Sequence, residues 1–112
     1  MRSVEIDVSV APGTPVPDVP VTLRVQVEEV MAADAPARVV ARTVAPGIRL
    51  SGITRLTLDV PPPDPHARYT VRVHADLDGS GAVATGDLVS TRSNPVLTEG
   101  RPDTVDVLLS PA

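Results

Sequence analysis

From Ser3 to Val10 the chain alternates without a break: Val4, Ile6, Val8 and Val10 on one side, Glu5, Asp7 and Ser9 on the other. A period of two places successive side chains on opposite faces of an extended chain, so this pattern predicts a half-buried strand. The pattern recurs from Val21, with Val21, Leu23, Val25 and Val27 inward and Thr22, Arg24, Gln26 and Glu28 outward. It recurs again with Leu56, Leu58 and Val60, with Tyr69, Val71, Val73 and Ala75, and with Val105, Val107 and Leu109. Residues 37–45, ARVVARTVA, fit either a strand or one or two helical turns, and their valines favour the strand. Residues 87–97, DLVSTRSNPVL, predict one further short strand ending before Pro95, whose ring removes a ladder donor.

Between these runs lie APGTPVPDVP, ADAPA, APG, PPPDPHA and NP, all rich in residues that interrupt regular structure. About seven short strands with turn signals between them predict one all-β domain spanning residues 1–112. The expected architecture is an antiparallel β-sandwich of the immunoglobulin- or transthyretin-like kind. One polar face per strand favours antiparallel pairing, because parallel strands are usually covered on both sides. Thirteen prolines leave little room for long helices. With one Tyr and no Phe or Trp, the core has to be aliphatic. That single Tyr69 follows PDPHA at a strand entry, which fits either a tyrosine corner or plain core filling. The Pro-rich stretch from Pro12 to Pro20 reads as a loop crossing between strands.

Charge and composition then narrow the function. The net charge is −4 and every cationic side chain is Arg. No basic patch interleaved with aromatics is present, which argues against nucleic acid as a partner. No apolar run reaches membrane-spanning length. The alternation begins at the N-terminus, so MRSVEIDVSV reads as a strand and not as a signal peptide. Cytoplasmic residence is expected unless a leader precedes these residues. The absence of cysteine removes disulfides, thiolate zinc sites, cysteine nucleophiles and a lipid-attachment cysteine from this sequence.

The candidate chemistry is concentrated in HADLDGSGAVATGDLVS, residues 74–90. Counted from Asp76, the segment reads D-x-D-x-S-G-x5-D, close to the calcium loop D-x-[DN]-x-[DN]-G-x5-E. Calcium takes six to eight hard oxygens, and alternate residues of a curled loop can aim at one centre. Asp76, Asp78, Ser80 and Asp87 are the expected side-chain ligands, with Ala82 giving a backbone carbonyl. Gly81 stands where the sharp turn is needed. Asp87 replaces the usual Glu; being shorter, it predicts weaker binding. The segment DLDGSGAVATGDL resembles the calcium loops of dockerin modules, although those run into a helix and occur in pairs. The competing reading is an ordinary Gly/Asp surface turn.

Other candidates carry less. A His74/Asp76/Asp78 transition-metal site is conceivable, but zinc usually takes more His or Cys, so His74 is expected to be a surface residue beside the loop. His66, in a proline-rich turn, is expected to be solvated. Glu28, Glu29 and Asp34 read as the wet face of a strand and the loop beyond it. Ser51, Ser80, Ser90 and Ser93 lack the neighbouring motifs that mark a nucleophile.

Two stretches carry a family resemblance. VTLRVQVEEVMAADAPARVVARTV, residues 21–44, resembles the signature of the YbaY/YscW-type lipoprotein family, most specifically in Asp34-Ala35-Pro36-Ala37. STRSNPVLTEGRPDTVDVLLSPA, residues 90–112, resembles the same family's closing segment and final strand. The resemblance implies a small β-sandwich of the bacterial envelope. The better-studied members are pilotins, which help secretin rings reach or assemble in the outer membrane. This chain departs from the family in lacking the lipidated cysteine and in carrying the acidic Gly-rich loop where a plainer hairpin is usual.

The expected function is a non-enzymatic binding or accessory module with a structural calcium ion in the 76–87 loop. The second reading is a pilotin- or chaperone-like domain that receives a protein partner at a sheet edge or groove. An enzyme of unassigned chemistry is the third.

Overall fold

A computed structural model describes residues 2–30, 36–92, 94–97 and 103–112. Eight strands follow in order: β1 (Arg2–Val10), β2 (Val21–Val30), β3 (Arg38–Ile48), β4 (Thr54–Val60), β5 (Arg68–Asp76), β6 (Leu88–Ser90), β7 (Pro95–Val96) and β8 (Thr104–Pro111). The all-β expectation stands, and residues 38–48 resolve as strand. The Asp34-Ala35 part of the family-like 34–37 element lies outside the described residues.

The strands form one curled sheet in the order β3-β2-β5-β6-β8-β1-β4, with β7 paired to β5 beside β6. Its two end strands, β3 and β4, approach each other without a ladder between them, so the sheet is almost a barrel. One ladder departs from the antiparallel expectation. β1 runs parallel to β8, from Glu5 opposite Thr104 to Val10 opposite Leu109, while its other edge pairs antiparallel with β4.

The inward faces meet in one aliphatic core. Val4, Ile6 and Val8 are fully buried, as are Leu23, Val25 and Val27 opposite Ala75, Val73 and Val71. β4 and β8 add Leu58, Val60, Val107 and Leu109. Each such side chain contributes about 1.5–3 kcal/mol on full burial, which lets a chain with one aromatic hold together. Leu50, in the connection between β3 and β4, is also buried, although no alternation marks it.

The Pro95 segment is more divided than expected. β6 and β7 occupy one lane along β5 and leave a gap between them. Side chains bridge that gap: Ser90 Oγ accepts from the Val73 N–H at 2.9 Å, and Asn94 Nδ2 donates to the Val71 carbonyl at 3.2 Å. Pro95 does not end the strand as expected but opens β7 opposite Thr70, and polar side chains replace the ladder bonds missing between β6 and β7.

Tyr69 settles as a tyrosine corner. Its hydroxyl accepts from the Asp64 N–H at 2.7 Å and donates to Glu29 Oε2 at 2.8 Å. It therefore ties the 61–67 turn to β2. Tyr69→Phe is expected to cost about 1–2 kcal/mol, because it strands partners that are no longer well hydrated. The check is a lower urea midpoint at unchanged m-value; an unchanged midpoint would reduce Tyr69 to a space filler.

Candidate functional site

β5 ends on Asp76 and β6 begins after Asp87, so the loop 77–87 closes a β5–β6 hairpin in which His74 pairs Val89 and Ala75 pairs Leu88. Gly81 adopts φ +87°, the left-handed turn expected of it.

The expected ligand set divides into two groups. Asp76 and Asp87 are each 1% exposed, whereas Asp78, Ser80 and Ala82 lie exposed at the outer tip. Asp76 Oδ2 accepts from the Gly81 N–H at 2.8 Å and from Arg24 Nε at 3.0 Å; its Oδ1 accepts from the Gly79 N–H at 3.0 Å. Asp87 Oδ1 accepts from the Leu77 N–H at 3.0 Å, and its Oδ2 from the Ala84 N–H at 3.0 Å, with His74 Nε2 at 2.8 Å. At the tip, Asp78 Oδ1 accepts from the Ser80 N–H and Ser80 Oγ accepts from the Ala82 N–H. The buried carboxylates therefore brace the loop from within, and the tip folds on itself by short-range bonds.

The electrostatics follow from these contacts. Burial would raise the Asp76 pKa, but the Gly81 N–H, the Arg24 guanidinium, the Asp78 side chain and the Gly79 N–H outweigh it and hold the carboxyl well below the usual range. Burial also opposes ionisation of Asp87; the His74 ring and the N–H groups of Leu77 and Ala84 outweigh it and lower its pKa.

This arrangement tests the fit of a cation. Ligand atoms of His74, Asp76 and Asp87 lie within 4.8 Å of one another. That trio differs from the expected set: it includes an imidazole and omits Asp78. Arg24 already places positive charge beside Asp76 and also donates to the Gly79 carbonyl at 3.2 Å. An oxygen cage for calcium would need the tip residues to turn inward and Arg24 to withdraw. The donor set as arranged does not fit calcium.

Three side chains depart from their sequence reading. His74 is not a surface histidine; its side chain is 14% exposed and engaged by Asp87. Glu28 stays on the outer face but is 8% exposed, covered by Gln26 and Arg72, which bond its two oxygens at 2.6 and 2.9 Å. Glu29 bonds Tyr69 and Arg38 instead of facing open water. Arg24 was legible only through register: it pairs with His74 across β2/β5, one diagonal step from Asp76.

Beside the loop, the outward faces of β3, β2 and β5 form an open groove of about 420 Å³. Arg24, Arg42, Arg72 and His74 line it together with Val44 and Val83.

No family model and no curated protein sequence matches the chain. Among solved structures, the fold is similar to that of an alternative pilotin from the type II secretion system of Vibrio cholerae. The two share 22% sequence identity over 99% of this chain and 96% of that one, with a TM-score of 0.74. The chain thus has a pilotin-like fold along its whole length. No helix among the described residues is long and apolar enough to cross a membrane.

Proposed function

We propose that this protein is a non-catalytic accessory module that binds a protein partner in the bacterial envelope, in the manner of a pilotin. The observation that carries this reading is the end-to-end likeness to the Vibrio cholerae pilotin, which leaves almost no part of either chain unmatched. The YbaY/YscW-like stretches at 21–44 and 90–112 support it from an independent direction. So does the architecture: β3 ends the sheet order, its outer edge has no ladder among the described residues, and an unpaired edge is a template for a partner segment. In this reading the 76–87 loop is scaffolding, braced by Arg24 and His74, and it holds one wall of the outer groove in place.

The test is direct. The purified protein should bind the secretin subunit encoded in the same genome, measured by biolayer interferometry. Deleting its gene should lower the amount of multimeric secretin in the outer membrane. No binding together with unchanged multimers would overturn the proposal.

A further inference from the structure

From the outer groove we infer that the partner contributes an acidic polypeptide segment, bound extended in the groove over β3 and β2 with its carboxylates on Arg42 and Arg72. This inference rests on the protein-interaction reading above and adds the chemistry of what is bound.

The charge distribution is the first argument. The chain is acidic overall, with a net charge of −4, yet no carboxylate among the described residues lines this groove. The acids that balance two of its cations lie beneath them: the Asp76 side chain is 0% exposed and that of Glu28 10%. A ligand arriving from solvent meets guanidinium groups and not their counter-ions. Arg72 spends only its Nε on Glu28, and its side chain is 67% exposed. Arg42 is exposed and makes no hydrogen bond or ion pair among the described residues. Each guanidinium presents five N–H donors in a planar fork that matches a carboxylate.

The apolar positions and the backbone give the second argument. Val44 and Val83 are 50% and 60% exposed on opposite walls of the groove. Arg42 and Val44 are alternate residues of β3 and face the groove opposite Gln26 and Arg24. An extended segment lying in the groove along β3 would turn alternate side chains toward the sheet, where one acidic and one apolar residue would meet Arg42 and Val44. Arginine forks would accept phosphates as well, but among the described residues no Tyr, Phe or Trp lines the groove to stack a base, and its valines suit a polypeptide.

The experiment uses the full chain, labelled with nitrogen-15, and three probes: a short synthetic peptide alternating Glu and Val, its Lys/Val counterpart, and single-stranded oligothymidylate. The Glu/Val peptide should move the amide signals of Arg42, Val44, Arg72 and Val89. Its affinity should fall several-fold as ionic strength rises from about 0.01 M to about 0.15 M, where the screening length shrinks from roughly 30 to 8 Å. Arg42→Glu should weaken it by about tenfold or more, equivalent to about 1.4 kcal/mol, without changing the melting temperature. Val44→Asp should weaken it independently. Equal binding of the Lys/Val peptide, tighter binding of the oligonucleotide, or shifts confined to other strands would overturn the inference. If Arg42→Glu leaves secretin-subunit binding intact, this inference falls while the accessory-module reading stands; if the wild-type protein binds no secretin subunit, it is that reading which fails.

Discussion

Asp76→Ala is expected to lower the melting temperature by more than about 10 °C, the scale on which losing one partner of a buried ion pair acts in a chain of this size. The substitution removes three hydrogen-bonded contacts at once and leaves Arg24, two-thirds buried, beside no anion. The loop N–H groups of Gly79 and Gly81 lose their acceptor as well. Arg24→Ala should be milder, because Asp76 keeps its two backbone donors. Calcium separates the two roles of this centre. If Arg24 serves as the built-in cation, millimolar calcium should leave the wild-type melting temperature unchanged and raise that of Arg24→Ala. A calcium-dependent rise in the wild-type protein, abolished by Asp76→Ala, would overturn the fit argument and restore the oxygen cage of Asp76, Asp78, Ser80, Ala82 and Asp87.

The second large effect is acid lability. Asp76 and Asp87 both have folded-state pKa values below their ordinary 3.8. The folded protein therefore binds these protons less readily than the unfolded chain does. The stabilisation is fully present above the ordinary carboxyl pKa and is lost as pH falls through the lower folded-state values. Urea midpoints should hold steady on acidification down to about pH 5 and then decline steeply. Asp7, lowered chiefly by its hydrogen bond from Arg55, adds to the decline in the same direction. In the Asp76→Asn/Asp87→Asn double variant the starting stability should be lower and the acid slope shallower. A wild-type midpoint that stays level through this range would show that the loop carboxyls are not held ionised by their neighbours.

Much of the fold was legible because alternation reports directly on burial. The residues assigned inward on β2 and β5, from Val21 to Val27 and Tyr69 to Ala75, are all buried; alternation did not mark the buried acids Glu28 and Asp76 beside them. Leu50 escaped because a single apolar residue in a loop has no period. The split between β6 and β7 escaped because the bonds that bridge it come from Ser90 and Asn94 side chains, which no propensity reveals. The parallel β1/β8 ladder escaped because two-sided patterning says nothing about strand order.

The candidate site was legible in part. The turn at Gly81 and the importance of Asp76 and Asp87 came from spacing within one segment. The partners of those acids, Arg24 and His74, come from neighbouring strands, and only the β2/β5 register and the hairpin closure bring them there. A one-dimensional motif lists ligands for an ion but cannot show that a side chain fifty-two positions earlier already stands beside them. The groove was likewise invisible, since Arg42 and Arg72 become neighbours only across β2.

The parallel contact between the first and last strands also governs how the molecule is made. While the ribosome is still extending the chain, β1 can dock on β4, but the edge meant for β8 stays open until residues 104–111 have emerged. That edge belongs to the strand carrying Val4, Ile6 and Val8, so a nascent molecule holds much of its valine-rich interior half-shielded until β8 has been made. Such long-range closure is slow, and it exposes sticky surface while it waits.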